Sequence, residues 1–376
     1  MDKTAKWIVG IISIIVVIWL GYNLFNKETV SNEPIKIGSI LPLSGKAVMF
    51  GDRSQKGILL AIEDLRKQGI DIEVTFEDEE CLPAKAISAY RKLIDLDEIK
   101  IILGPLCSPS ALAVAFQAEK DKVIMLSAGS AAPSLSYIGD YIFRNHTDVK
   151  QELKAQFNYL ADNFDYKNIA IIYLKDNDYS VEGEKFLREE LLPQLGMESV
   201  FSEGVLSDTD YRTVISKLKQ LVNNIDLVLL DLLVKDDLNF LEEAEELGLN
   251  KAIVVSKVVN VPEFIDNIGS LGEGLIFAEA DFTKRTNPDF WSRYTKKFNE
   301  DPTIFSAQSY ESLILLAEII ENKCQSIDID CIRDELYKTE NWPGITGLLT
   351  VDKNGDFTKN VVVKIIKDGK IEILDQ

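Results

Sequence analysis

From Pro34 onward the sequence alternates short β-branched runs with longer segments of helical period, and this alternation constrains the fold more than any other feature. IKIGSILPL (35–43) reads as a strand, and SQKGILLAIEDLRKQG (54–69) reads as a helix closed by glycine. IDIEVTFED (70–78) alternates like a strand, and PAKAISAYRKLIDL (83–96) is helical again. IKIILG, SPSALAVAFQAEKD and KVIMLSAG continue the pattern. A second run of the same kind follows: helices over 149–164, 179–195, 211–224 and 236–249 alternate with strands over 167–174, 197–204, 225–234 and 251–256. Such a βαβ order predicts parallel sheets covered by helices, here in two α/β units. FSAQSYESLILLAEIIENK (305–323) reads as a long amphipathic helix, and the last stretch (346–376) as a strand and then a hairpin turning at Asp368-Gly369.

In open α/β sheets ligands bind beyond the carboxyl ends of the strands. The chemistry is therefore expected in the loops SGKAVMFGD, CSPS, SAGSAAPS, KDNDYS and SKVVN. GPLCSPSALA (104–113) reads as the end of a strand, a tight turn, a helix N-cap and a proline in the first turn. The N–H groups of such a helix start favour an anion. Ser108 and the turn SAGSAAP (127–133) together offer hydroxyls, small side chains and backbone N–H groups. Two readings stand at this level: a carboxylate cradle that needs no Lys or Arg, or an ordinary cap beside an ordinary turn.

Enzyme motifs are absent. GxSxG, GxGxxG after a strand and GxxxxGK[ST] do not occur. His146, in FRNHTD, is the single histidine, has no marked nucleophile beside it, and reads as a solvated loop residue. The 61 acidic residues show no pairing that would mark a glycosidase. With one histidine and no CxxC, neither a metal site nor a cofactor is expected. The net charge of −20 argues against nucleic acid as a partner, because phosphate binding needs clustered Lys and Arg.

Residues 1–33 are of another kind. Lys3 and Lys6 precede WIVGIISIIVVIWLGYNLF (7–25), an uncharged run of 19 residues. A helix needs ~20 apolar residues to span a bilayer. With no small-x-small cleavage pattern, residues 1–25 are expected to be an uncleaved anchor with a cytoplasmic N-terminus. Residues 26–33 then form a linker, and everything after them lies outside the cytoplasm. Four cysteines suit that compartment. They fall as Cys81 with Cys107 and Cys324 with Cys331, expected as disulfides, with free buried thiols the other reading. Closing the 81–107 loop contributes about 3–4 kcal/mol in the chain-entropy model.

IKIGSILPLSGKAVMFGDRSQKGILLAIEDL resembles the opening of the extracellular receptors related to branched-chain amino acid binding proteins, the type I solute-binding proteins of ABC importers. ECLPAKA followed by ILGPLCSPSA is similar to that family's disulfide segment and ligand turn. IMLSAGSAAPSLS, YIFRNHTD, NIAIIYLKDNDYSVEGEKF, SDTDYRTVISKLK and GEGLIFAEA follow in family order, so the resemblance runs over about 35–370.

The resemblance implies an α/β fold of two lobes with a three-stranded hinge, closing on a small molecule. Crossings are expected near 145–150, 278–282 and 358–361. Lobe 1 would comprise 34–147 with 281–359, and lobe 2 would comprise 148–280 with 360–376. It implies a non-enzymatic, monomeric receptor serving an ABC permease. A sensor acting through a membrane partner, or an enzyme on the same scaffold, are the alternatives. Ser108 and Gly129 match positions that hold a ligand carboxylate. Phe50 and Phe305 match aromatic walls, and Tyr179 matches the tyrosine of the second-lobe wall. The disulfide Cys81–Cys107 would pin the turn that presents Ser108. Departures bear on the ligand. Ala131 stands where the family has a carboxylate-binding threonine, with Ser130 adjacent to substitute. Leu233 replaces an aromatic. Lys257 falls where amino acid receptors carry the glutamate that holds the ligand's ammonium, which would favour a second anion there. Against that, Lys257 one residue out of register, or reaching to water, would leave the pocket unchanged.

Overall fold

The computed structural model describes residues 34–256 and 259–374. Fifteen strands are named here in chain order. The first five, β1 (Ile35–Leu41), β2 (Ile72–Asp78), β3 (Ile101–Leu103), β4 (Ile124–Ser127) and β5 (Ile142–Arg144), form one sheet in the order β2-β1-β3-β4-β5. The registers of β1 with β3, β3 with β4 and β4 with β5 are parallel. Every residue of β3 and β4 is buried, as expected for parallel strands covered on both faces. Ile40, Tyr90, Leu93, Val114, Met125 and Ile142 belong to the core on one face of this sheet.

The second parallel sheet contains β6 (Asn168–Leu174), β7 (Glu198–Val205), β8 (Leu227–Asp231) and β9 (Ala252–Val255) in the order β7-β6-β8-β9. Phe157, Ile171, Leu187, Leu229, Val254 and Val363 share its core. β10 (Ile276–Ala280) pairs antiparallel with β14 (Val361–Lys367), which turns into β15 (Lys370–Ile373). Asp368 and Gly369 both have positive φ, 50° and 68°, the backbone of a two-residue hairpin turn. β11 (Trp342–Gly344), β12 (Gly347–Val351) and β13 (Phe357–Thr358) make a small antiparallel sheet. The chain thus folds as two parallel α/β lobes.

Stretches distant in sequence run side by side near Arg144 and Asp281. Arg144 N–H donates to the Gly355 carbonyl at 3.0 Å, and Asp281 N–H donates to that of Asn360 at 2.9 Å. Arg144 is 1% exposed and meets Asp356 through two nitrogens, at 2.9 and 2.8 Å. Lys359 pairs with Glu311 at 2.9 Å, both side chains at 0% exposure. Lys364 pairs with Glu279, likewise buried.

Two sequence expectations are corrected. The helix expected from 54 begins at Val48 and runs to Lys67. Gly51, within the stretch read as the loop SGKAVMFGD, lies in the helix, where a Cβ would overlap the Pro42 carbonyl. The helix Ile304–Ile319 is not amphipathic but buried nearly all round, its polar residues Gln308 and Glu311 paired inside with His146 and Lys359. It lies so close to Val48–Lys67 that a Cβ on Gly57 would overlap the Ser306 carbonyl. Among the described residues no helix is long and apolar enough to cross a membrane; the 7–25 run expected as an anchor lies outside the described residues.

Candidate functional site

β3 is followed by Gly104, whose φ of +102° and contact with the Ile40 carbonyl exclude a side chain. After Pro105 the chain enters the helix Ser108–Asp121. Cys107, not Ser108, takes the N-cap position, and it makes no side-chain cap. Cys81 and Cys107 are bonded, as are Cys324 and Cys331. Beneath this turn the fully buried Glu79 carboxylate accepts the N–H groups of Leu106, at 2.9 Å, and Cys107, at 3.3 Å. Burial raises its pKa to about 7, against the pull of these hydrogen bonds.

The Ser108 hydroxyl crosses to the turn after β4. Its oxygen accepts the N–H of Ala131 at 3.1 Å and of Ala132 at 3.3 Å, and the Ser130 hydroxyl donates to it at 3.3 Å. Ser127 ties the same two turns, donating to the Pro105 carbonyl at 2.6 Å and accepting the Ser130 N–H at 3.1 Å. Ser108 is the acceptor in each of these bonds, so its own hydroxyl hydrogen is left to donate elsewhere.

Beside this polar corner stands a wall of rings. Phe50 and Phe305 lie 4.9 Å apart between centroids, and His146 stacks on Phe305 at 5.6 Å. His146 is 2% exposed, and its Nδ1 is 2.5 Å from the amide oxygen of Gln308. The reading of His146 as a solvated residue is corrected: β5 delivers it to the interior. From the second lobe come Leu174, Leu232, Leu233 and Tyr179. Asn177 caps the helix Asp178–Phe186 through the Tyr179 N–H, at 3.0 Å. Burial, with Asp231 and Glu152 nearby, holds the Tyr179 phenol well above its usual range.

These surfaces enclose a cavity of about 410 Å³ between the lobes. Of the residues expected from the sequence, Phe50, Ser108, Gly129, Ala131, Tyr179 and Phe305 line it together, and so does Leu233. Ser130 does not; it is fully buried behind Ser108. Lys257 lies outside the described residues. Lining residues not singled out include His146, and Asn177 and Lys46, which lie within the flagged loops KDNDYS and SGKAVMFGD. His146 had a signal: it follows a parallel strand's carboxyl end, as the flagged loops do. Among the described residues no group of three or more His, Cys, Asp or Glu is placed to hold a metal. The arrangement offers a hydrogen-bond donor at one corner and an apolar, aromatic body, which suits binding of a small organic acid.

Comparison with known proteins agrees with this architecture. The family described as periplasmic binding protein matches residues 34–370. A leucine-, isoleucine-, valine-, threonine- and alanine-binding protein of Pseudomonas aeruginosa is 25% identical over 344 residues, covering 88% of this chain and 89% of its own. The crystal structure of a leucine-binding protein from Thermotoga maritima superposes with a TM-score of 0.84 at 25% identity, covering 91% of this chain and 98% of its own. A solute-binding protein of an ABC transporter from Rhodopseudomonas palustris, solved with 3,4-dihydroxybenzoic acid, gives a TM-score of 0.80 at 21% identity, covering 90% and 95%. That last likeness is one of fold.

Proposed function

The chain belongs to the periplasmic binding protein family, and on that premise we propose that it is the extracytoplasmic solute-binding receptor of an ABC importer, taking a small carboxylate-bearing metabolite. The observation that carries the reading is the cavity between the lobes: Ser108 keeps a hydrogen to donate, and Phe50, Phe305 and His146 supply an apolar face. A ligand carboxylate accepts from Ser108 and lies by Gly129 and Ala131, while its body packs on the rings. Tyr179 closes from the second lobe. Solved relatives in this fold hold such acids: the one from Rhodopseudomonas palustris was solved with a dihydroxybenzoate.

Lobe 1 is 34–147 with 281–359 and lobe 2 is 148–280 with 360–376, turning about the adjacent crossings near 145–150, 278–282 and 358–361. Residues 7–25, uncharged throughout, anchor the receptor beside its permease, and the receptor works as a monomer without covalent chemistry. Ala131 lacks the hydroxyl that the family uses toward its amino acid ligand. Together with Lys257 this favours an acid without an ammonium group.

A thermal-shift screen of the purified protein tests the reading, with neutral amino acids, dicarboxylates, keto acids, aromatic acids and nucleosides in the panel. Binding to the folded state alone adds about 2.7 kcal/mol at a hundredfold excess over Kd. Stabilisation by acids lacking an ammonium supports the proposal. Stabilisation by neutral amino acids keeps the receptor but removes Lys257 from the pocket. No shift with any carboxylate defeats the ligand class.

A further inference from the structure

Polar contacts join the two lobes around the cavity rim, and none of them needs a ligand. Lys46, in the turn before the helix Val48–Lys67, sets its ammonium 2.7 Å from Asp208 Oδ2 and 3.2 Å from Ser207 Oγ. The other Asp208 oxygen lies 2.9 Å from Lys235 of its own lobe. The receiving side is built independently of Lys46. Buried Asp236 accepts from the Ser207 hydroxyl at 2.8 Å, the Asp208 N–H at 2.7 Å and the Tyr211 phenol at 2.8 Å. These bonds hold Asp208 in a left-handed backbone conformation, φ 60°. At a second place Glu182 accepts from the Ser134 N–H at 2.9 Å and from its hydroxyl at 2.6 Å. At a third, the Arg53 guanidinium lies between Glu300 of its own lobe and Glu263 of the other, 3.1 Å away.

We propose that Lys46–Asp208, Ser134–Glu182 and Arg53–Glu263 form a clasp that populates the closed form of the receptor before any ligand arrives. The proposal rests on the two-lobe reading above. The donors and acceptors come from opposite sides of the cavity, so opening the lobes breaks all three contacts at once and closing remakes them. The Asp208 side is prearranged by Asp236, so closing orders little beyond the Lys46 side chain. Lys46–Asp208 is an exposed ion pair, weak alone and screened by salt, Arg53–Glu263 is a part-buried ion pair, and Ser134–Glu182 is a hydrogen bond from neutral donors, each worth little by itself. The clasp therefore sets a population and not a permanent lock. Apparent affinity scales with the fraction of the protein in the binding-competent form. Ionic strength and Glu182, which does not line the cavity, thus tune ligand capture from outside the pocket.

The test is a distance measurement on the full chain in lipid nanodiscs, without ligand. Spin labels go on Ser88→Cys, in the helix Pro83–Asp95, and Ser216→Cys, in the helix Arg212–Gln220, both exposed and on opposite lobes. No described cysteine is free to take a label in their place. We expect a short-distance population in low salt. Asp208→Asn and Glu182→Gln should each raise the open-to-closed ratio roughly 1.5- to 5-fold. Salt at 1 M should do the same to the parent, and Asp208→Glu should keep the short distance. An unchanged distribution in both variants and in high salt overturns the clasp, as does a parent showing only the long distance. No ligand enters the experiment, so its failure is distinct from failure of the thermal-shift screen.

Discussion

Lys359 and Lys46 each face a carboxylate at nearly the same distance, Glu311 at 2.9 Å and Asp208 at 2.7 Å. Their surroundings differ entirely. Both side chains of the first pair are at 0% exposure; those of the second are 61% and 40% exposed. Glu311 is embedded further: it accepts from Asn145 Nδ2 at 3.0 Å and from the Thr346 N–H and hydroxyl, at 2.8 and 2.6 Å. Burial, opposed by Glu311, lowers the pKa of Lys359. Distance alone therefore says little about what an ion pair does. Away from water, the loss of one partner strands a charge, whereas at the rim water replaces the partner at once. Lys359–Glu311 is of the first kind and Lys46–Asp208 of the second, while Arg53–Glu263 lies between them, its guanidinium buried and its carboxylate at the surface.

The sharpest challenge to this contrast is Glu311→Ala. It leaves the Lys359 ammonium buried without its carboxylate and should lower stability by about 3–5 kcal/mol in denaturant unfolding. A loss under 1 kcal/mol would show that water reaches the pair. Replacing both partners, Glu311→Leu with Lys359→Met, should recover much of that loss, because no charge is then stranded.

Glu79 is a buried carboxyl held by backbone N–H groups, and it sharpens the contrast through pH. Its pKa is raised from 4.5 to about 7 in the folded protein. The folded state thus keeps a proton that the unfolded state releases between these values. Stability from this group is fully present below pH 4.5 and declines as pH rises to about 7, by about 3 kcal/mol in all. Comparing melting temperatures of the parent and Glu79→Gln at pH 5 and pH 7.5 isolates it. A gap between the two proteins that does not change with pH would remove Glu79 from the account.

Ser108→Ala lies between the extremes, since the hydroxyl is buried yet faces the cavity. Loss of a hydrogen bond to a charged carboxylate should weaken ligand binding by about 1.5–3 kcal/mol, measured by calorimetry with an acid found in the screen. Unchanged affinity would place the carboxylate elsewhere. The smallest effect is expected at the rim: Asp208→Asn, which removes the charge facing Lys46, should alter stability by about 0.2–1 kcal/mol and only at low salt. An effect of the same size in 1 M salt would make the rim contact resemble the buried pairs.

Much of the fold was legible in the sequence because its signals are local. β3 and β4 read as short apolar runs, the helices Pro83–Asp95 and Ser108–Asp121 carried their period and their prolines, and Asp368-Gly369 named its own turn. The turns bearing Ser108 and Gly129 were legible for the same reason, each following a strand's carboxyl end. Local signals failed where packing decides. The first turns of the helix Val48–Lys67 read as loop, and nothing local showed that Gly51 and Gly57 are needed for close approach to the Pro42 and Ser306 carbonyls. The helix Ile304–Ile319 looked half-exposed until other elements enclosed it.

The candidate site divides along the same line. The sequence by itself determined which residue types stand at the ends of the strands, since strand order and turn chemistry are written over a few neighbouring positions. Only the tertiary structure decided that His146 turns inward against Phe305, 159 positions on, while Ser130 sits behind Ser108 and Lys46 reaches Ser207 and Asp208. Those contacts join residues far apart in the chain. Their geometry follows from how sheets and helices pack, and no local propensity encodes it.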